Sequence, residues 1–485
     1  MKQIKGYTIF YILGIFLLCE SFFLFATTGV SVYYGENAVI PLATSAFLTM
    51  GTGFSFWFVG KKHHTPLDKR AGYLLVSLIW IVMSVFGSFP FYFGEYVPSY
   101  ADAFFETMSG FTTTGATIFG DVESLPRGIL MWRSITHLIG GIGIVVVVLA
   151  IIPSLGSRGF SLFSAEVPGP SKDKFLPKLK DNAITLIKTY LIITLFFILL
   201  FVVSGMAVFE SVCTSFSIAG TGGFLITNDS AAGFTVVQQY LAVFCMFIAG
   251  INFTLIYRFF RGETSIIRKN EELKYYSIIV VIASLVLAAG LFYYHDYNDV
   301  ELALRESLIH VLSFMTTTGI VAADYTLWAE PMLFLVLLLL FTGAMSGSTC
   351  GGLKIVRFVV LFKNAKQILV KTLRPGVSYT PVKLDGKVVG SKVLYNILSI
   401  FLLYLFTTIV ATLLVVFIEG DIKESMGVVV SCINNVGPGL GKCGGFGNYG
   451  SLSSASKWIL SACMYLGRLE IASVLIIFST HFRKR

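Results

Sequence analysis

Long apolar runs separated by short polar stretches alternate along the whole chain. Runs of roughly twenty apolar residues match the length a helix needs to cross a bilayer, and none has the ten-residue alternation of a barrel strand. The pattern predicts spanning helices near Tyr7 to Val32, Val39 to Gly60, Gly72 to Gly94, Gly128 to Ile152 and Ala183 to Phe209, then near Phe234 to Phe260, Tyr275 to Tyr294, Pro331 to Phe362, Val393 to Ile418 and Ala455 to Phe482. The first run has no small-residue cleavage site after a short core, so it reads as a retained helix. Within four successive pairs lies a segment too short and too polar to cross: Ala101 to Ser109, Glu210 to Ile218, Glu301 to Phe314 and Ile422 to Cys432. A half-crossing helix that turns back is tolerated at membrane depth only where protein or water meets its exposed backbone. The expectation is an all-α polytopic membrane protein of ten transmembrane helices. Two N-terminal helices (1–65) precede four helix, re-entrant loop, helix repeats (66–155, 156–265, 266–365 and 366–485) with pseudo-four-fold symmetry around a pore.

The loops after the four half-helices repeat. Thr112, Thr113, Thr114, Gly115 returns as Thr316, Thr317, Thr318, Gly319, with weaker echoes in Gly220, Thr221, Gly222 and in Asn435, Val436, Gly437. They recur about every hundred residues, the scale of a whole structural unit, and the register pairs Gly115, Gly222, Gly319 and Gly437. A cation leaves water only where oxygens replace its hydration shell, and a backbone with glycine at positive φ can aim successive carbonyls at one axis. The candidate ion-binding residues are Thr113, Thr114, Gly115, Gly220, Thr221, Gly222, Thr317, Thr318, Gly319, Asn435, Val436 and Gly437. Oxygen-only ligation without a His/Cys cluster suits a hard cation.

Composition sharpens the class: 55% apolar and 13% charged residues over 485 positions leave too little polar surface for a soluble protein of this size. The seven cysteines lie apart without metal-ligand spacing and read as packing residues. Most of the 36 basic residues fall in Lys2 and Lys5, Lys61 to Arg70, Arg158 to Lys188, Arg258 to Lys274, Lys354 to Lys392 and Arg483 to Arg485. Lysine and arginine concentrate on the cytoplasmic face, which places both termini inside and brings the half-helices in from outside. The outer loops are acidic, with Glu106, Asp121, Glu123, Glu210, Asp299, Glu301, Asp324, Glu330, Glu419 and Asp421 among them. A ring of carboxylates over a vestibule would concentrate cations. The net charge of +9 follows from the same inside-outside asymmetry and points to no nucleic-acid partner.

Gly343, Gly347, Ser348, Thr349, Gly351 and Gly352 interrupt the eighth span, ahead of Lys354. Each glycine costs a helix about 1 kcal/mol relative to alanine, so the span should unwind there into a buried loop able to cross beneath the pore loops. It is no phosphate-binding loop, because Leu353 stands where that motif needs lysine after the second glycine. Arg468, inside the last apolar run, must face water or a partner, and is expected to act with this loop as an electrostatic barrier. Glu470, two positions on, points elsewhere on the helix and needs a partner from a neighbouring one. Arg133 reads as a brace for the first half-helix and His137 as a packed, hydrogen-bonded histidine. A symporter would need a second, coupled site, and the intramembrane carboxylates are few, with Glu20 on a peripheral helix. A membrane enzyme would need a nucleophile-base pair, but the six histidines are dispersed.

The four loops, Trp132 to Ser134 with Gly140 to Ile144, Ala165 to Pro170, Gly343 to Lys354, and Gly467 to Glu470 together resemble the Trk/Ktr/HKT superfamily of potassium-transporting proteins over essentially the whole chain. The two extra N-terminal helices resemble the bacterial Trk branch. The resemblance implies potassium as the transported ion, with no organic cofactor on this chain, and four unequal repeats around one pore. It further implies an intramembrane gating loop at 343–354, a homodimer in the cell inner membrane, and a cytosolic nucleotide-binding ring as regulator. Gly115 stands where sodium-transporting plant members have serine. Arg158 to Lys180 and Lys363 to Lys387 are, by the same resemblance, candidate docking segments for the regulator.

Overall fold

A computed structural model describes residues 6–61, 69–155, 179–295, 297, 299–373 and 381–478. The chain is a mostly helical, multi-pass membrane protein. Gly6–Tyr34 and Val39–Lys61 form a tight antiparallel pair. Their contact depends on missing side chains: a Cβ on Gly14 would lie 2.5 Å from the Trp57 nitrogen, and one on Gly60 2.5 Å from that of Tyr11. Small residues that let backbones approach this closely are the usual means by which helices associate in lipid, where no hydrophobic driving force separates protein from solvent.

Among the described residues six helices are long and apolar enough to cross a membrane, and two bent pairs raise the number to eight. The expected straight spans differ from the structure in three places. Phe234 to Phe260 is two helices, Val236–Ala249 and Phe253–Phe260, bent by 100°; the Asn252 side chain accepts from the Thr254 amide and starts the second helix afresh. Ala455 to Phe482 is Ser454–Arg468 and Ile471–Phe478, bent by 109° with Glu470 at φ 56° between them. Ala183 to Phe209 ends early, at Val203, because Gly205 turns the chain at φ 88° and Val208 already begins the second half-helix. Pro331 to Phe362 is interrupted where its glycines predict, into Glu330–Leu340 and Ile355–Leu373 on either side of the glycine-rich loop.

The half-helices are Tyr100–Phe111, Val208–Gly220, Val300–Met315 and Ile422–Asn434. Ser99, Asp299 and Asp421 cap the first, third and fourth by accepting backbone amides, satisfying donors that lipid could not. Their remaining turns are almost wholly buried: every residue from Asp102 to Phe111 is inside the protein. Two short sheets depart from the all-α expectation. Thr342–Gly343 pairs in parallel with Leu353–Lys354, closing the glycine-rich loop at its base. Lys383–Leu384 and Lys387–Val388 form a hairpin around Asp385 and Gly386, both at positive φ.

Candidate functional site

All four half-helices end the same way. The amides of Thr114, Gly222, Thr318 and Val436 reach back to the carbonyls of Ser109, Ser217, Ser313 and Ser431, at 2.8, 2.8, 2.8 and 3.0 Å. Those of Thr113, Thr221, Thr317 and Asn435 bond to Gly110, Ile218, Phe314 and Cys432 at 3.0 to 3.2 Å. This pairing is the Schellman cap, which requires a left-handed residue at its corner. Glycine normally fills that corner, but here Thr113, Thr221, Thr317 and Asn435 do, at φ 52°, 55°, 53° and 58°. A β-branched residue in that region is strained and persists only where its surroundings hold it.

Two residues further on, Gly115, Gly223, Gly319 and Gly437 take φ 80°, 84°, 77° and 101°. The register of the second loop is therefore one residue later than expected: its glycine is Gly223, its corner is Thr221, and Gly220 closes the helix. With that correction the loops touch in a closed cycle. A Cβ on Gly115 would lie 2.0 Å from the carbonyl oxygen of Gly222, and one on Gly223 1.9 Å from that of Thr318. For Gly319 the neighbour is Val436 at 2.1 Å, and for Gly437 it is Thr114 at 2.6 Å, which returns to the first loop. Gly115, Gly223, Gly319 and Gly437 all line one depression, together with Pro438 and Tyr449. Tyr449 also donates to the Gly437 carbonyl at 2.6 Å.

The half-helix serines escaped the sequence reading. Ser109, Ser217, Ser313 and Ser431 each stand four residues before the left-handed corner, and all are fully buried. Their constant offset was visible in the sequence, but only after the correct register of the second loop is known.

The expected carboxylate ring is not what the acidic residues form. Glu106 pairs with Arg133 at 2.9 Å and Asp102 with Lys457 at 2.6 Å, both buried. Glu301 pairs with Arg305, Glu330 with Lys423, Asp421 caps a helix and Glu419 accepts from Ser453. Asn228 donates to Asp121 at 2.9 Å and holds its carboxyl below the usual range. None of these borders the depression over the four glycines; the charges serve to cap and fasten the loops. Arg133 is the brace expected of it, donating also to the Leu225 carbonyl and the Thr117 hydroxyl. Arg133→Ala should strand the Glu106 carboxylate and cost about 3–5 kcal/mol. Thermal unfolding in detergent should show a clearly lower Tm, and an unchanged Tm would contradict this role.

Beneath the ring runs the 343–354 loop. The Gly351 amide donates to the Thr317 hydroxyl at 2.8 Å, so the third loop's strained corner and the lower loop hold each other. The Thr349 hydroxyl donates to the Ala219 carbonyl at 3.0 Å, and the Ser346 amide to Glu272 at 2.7 Å. A Cβ on Gly351 would lie 2.5 Å from the Asn434 carbonyl oxygen, and the Lys354 ammonium bonds the Cys350 carbonyl. Gly347 and Gly352 take positive φ. Arg468 closes the helix Ser454–Arg468 at the bend and donates 2.7 Å bonds to the Thr349 and Gly140 carbonyls. Among the described residues no carboxylate pairs with it; Glu470 bonds Arg357 at 2.8 Å instead. The loop and Arg468 thus touch the ends of the second and fourth half-helices, the corner after the third and the helix that follows the first loop. Of the expected docking segments, residues 156–178 and 374–380 lie outside those described.

A multi-pass membrane protein whose four half-helices end in loops that touch in a closed cycle of glycines and backbone carbonyls belongs with the cation-transport proteins. The chain belongs to the TrkH family of cation transport proteins, whose model matches residues 42–294 and 281–484. It is 32% identical to the Trk system potassium uptake protein TrkG of Escherichia coli K12, over 93% of each chain. It is likewise 32% identical to the Trk system potassium uptake protein TrkH of Vibrio parahaemolyticus, over 97% of this chain and 98% of that one. The crystal structure of the potassium transporter TrkH from Vibrio parahaemolyticus superposes with a TM-score of 0.89 at 30% identity, covering 98% of this chain and 99% of that one. The family is one of transport proteins, so the enzyme alternative falls away.

Proposed function

We propose that this protein takes up potassium through a single pore built by one chain, with the four loops as its selectivity filter. The observation that carries this reading is the closed cycle of contacts among Gly115, Gly223, Gly319 and Gly437. Carbonyls held by the strained Schellman corners can replace a hydration shell at little reorganisation cost. The filter is assigned to Thr113, Thr114, Gly115, Thr221, Gly222, Gly223, Thr317, Thr318, Gly319, Asn435, Val436 and Gly437. The 343–354 loop with Lys354 and Arg468 is the gate. The two N-terminal helices and four repeats, with ten crossings, are assigned as set out from the sequence, except that the helix Ile355–Leu373 carries the third repeat past residue 365, and the basic loops and both termini face the cytoplasm of a cell whose inner membrane holds the protein. By resemblance it works as a homodimer with a cytosolic nucleotide-binding ring. A potential contributes about 2.3 kcal/mol per charge per 100 mV, enough to drive accumulation without nucleotide on this chain.

One observation favours a symporter as the second reading. Glu20 is fully buried, against Gly87 behind the first half-helix, and neither of its carboxylate oxygens has a hydrogen-bond partner among the described residues. Its helix, Gly6–Tyr34, keeps an exposed outer face, and Glu20 lies on the inner one. Flux in proteoliposomes separates the two readings: the pore predicts potassium flux driven by a potassium gradient alone. Flux that stops when the sodium or pH gradient is abolished would instead establish coupling.

A further inference from the structure

We propose that His137 is a positioning residue for the second loop, replacing from a neighbouring repeat the hydroxyl brace that the first and third loops build for themselves; the inference rests on the filter reading above. In the first loop the Thr112 and Thr114 hydroxyls bond at 2.8 Å, and in the third those of Thr316 and Thr318 bond at 2.7 Å. Thr112 and Thr316 each hand their own proton to a carbonyl one turn back, at 2.6 and 2.7 Å. The corresponding positions of the second loop are Gly220 and Gly222, which have no hydroxyl to offer. Neither has the positive φ that elsewhere demands glycine. What excludes a side chain is His137: a Cβ on Gly222 would lie 2.5 Å from the ring carbon Cγ and from Nδ1, and one on Gly220 2.5 Å from the His137 carbonyl oxygen.

The ring then does what the missing threonines would. His137 is fully buried, and its Nδ1 lies 3.1 Å from the Ser217 hydroxyl, which itself donates to the carbonyl of Phe224, next to Gly223. Because that hydroxyl proton is committed to the carbonyl, Nδ1 must carry the hydrogen it gives to Ser217. The imidazole stacks on the Phe224 ring with centroids 4.3 Å apart at 20°, and Arg133, one turn away on the same helix, places its guanidinium carbon 4.1 Å from that ring. A helix of the first repeat therefore fixes both faces of the chain around Gly223: the carbonyl through Ser217 and the side chain through stacking. Without it, Gly220, Gly222 and Gly223 would leave the loop free to turn its carbonyls away from the ion.

The test is potassium, rubidium and sodium flux in proteoliposomes, with size exclusion and thermal unfolding as checks on folding. His137→Ala should lower the potassium over sodium preference about fivefold or more, the scale of one lost hydrogen bond. Ser217→Ala, a smaller change that removes the relay alone, should shift the preference the same way. Gly222→Ala should abolish flux in the native background yet restore it to the His137→Ala level when combined with His137→Ala, since the obstructing ring is then gone. A native preference in both His137→Ala and Ser217→Ala overturns the proposal, as does a Gly222→Ala defect unchanged by removing His137. Absence of potassium flux in the native protein would instead strike the pore reading itself.

Discussion

Arg468→Ala should raise potassium flux by an order of magnitude or more. The guanidinium is buried beneath the ring, and among the described residues no carboxylate pairs with it. For an illustrative separation of about 8 Å and an effective dielectric of about 20, a unit charge opposes a passing cation by about 2 kcal/mol, or roughly thirtyfold in occupancy. The same side chain fastens the lower loop through the Thr349 carbonyl and ties it to Gly140. Its removal thus lowers the electrostatic barrier and releases the loop together. Arg468→Lys keeps the charge but cannot reach both carbonyls with one fork, so it should fall between. Tracer uptake into cells or vesicles decides the matter, and flux in Arg468→Ala equal to or below the native value would contradict the barrier.

Gly223→Ala should reduce flux at least about a hundredfold. The left-handed region costs a residue with a Cβ about 1–2 kcal/mol. Steric conflict adds to this, because the new Cβ would lie 1.9 Å from the Thr318 carbonyl oxygen and push that carbonyl of the adjacent loop off its place. Gly115→Ser should behave similarly, with its Cβ 2.0 Å from the Gly222 oxygen, and any residual transport should favour sodium more than the native protein does. Comparable uptake by Gly223→Ala and the native protein would show that this loop does not surround the ion.

The number and order of half-helices were legible because each interrupts an apolar run with polar residues that lipid would reject. The first and third loops were legible for their shared threonines. The second was misread by one residue because Gly220, Gly222 and Gly223 offer three glycines, and only the backbone dihedral separates the one at φ 84°. The bends at Gly250 to Asn252 and at Arg468 to Glu470 were hidden by hydrophobicity that continues across both breaks, although an arginine within an apolar run already marked the second. The acidic residues around the half-helices were assigned the wrong task. Sequence gives the charge of Asp102 but not the Lys457 that meets it from a segment far along the chain, whereas the Arg133 that meets Glu106 was legible as a brace for the same half-helix. A partner for Glu470 on a neighbouring helix was anticipated, and the structure supplies Arg357.

The most direct test is to locate the ion. Rubidium or thallium soaked into the purified protein should give anomalous density on the axis shared by Gly115, Gly223, Gly319 and Gly437, above the 343–354 loop, and Gly223→Ala should abolish it. Density that lies away from this axis while the native protein still transports would contradict the account.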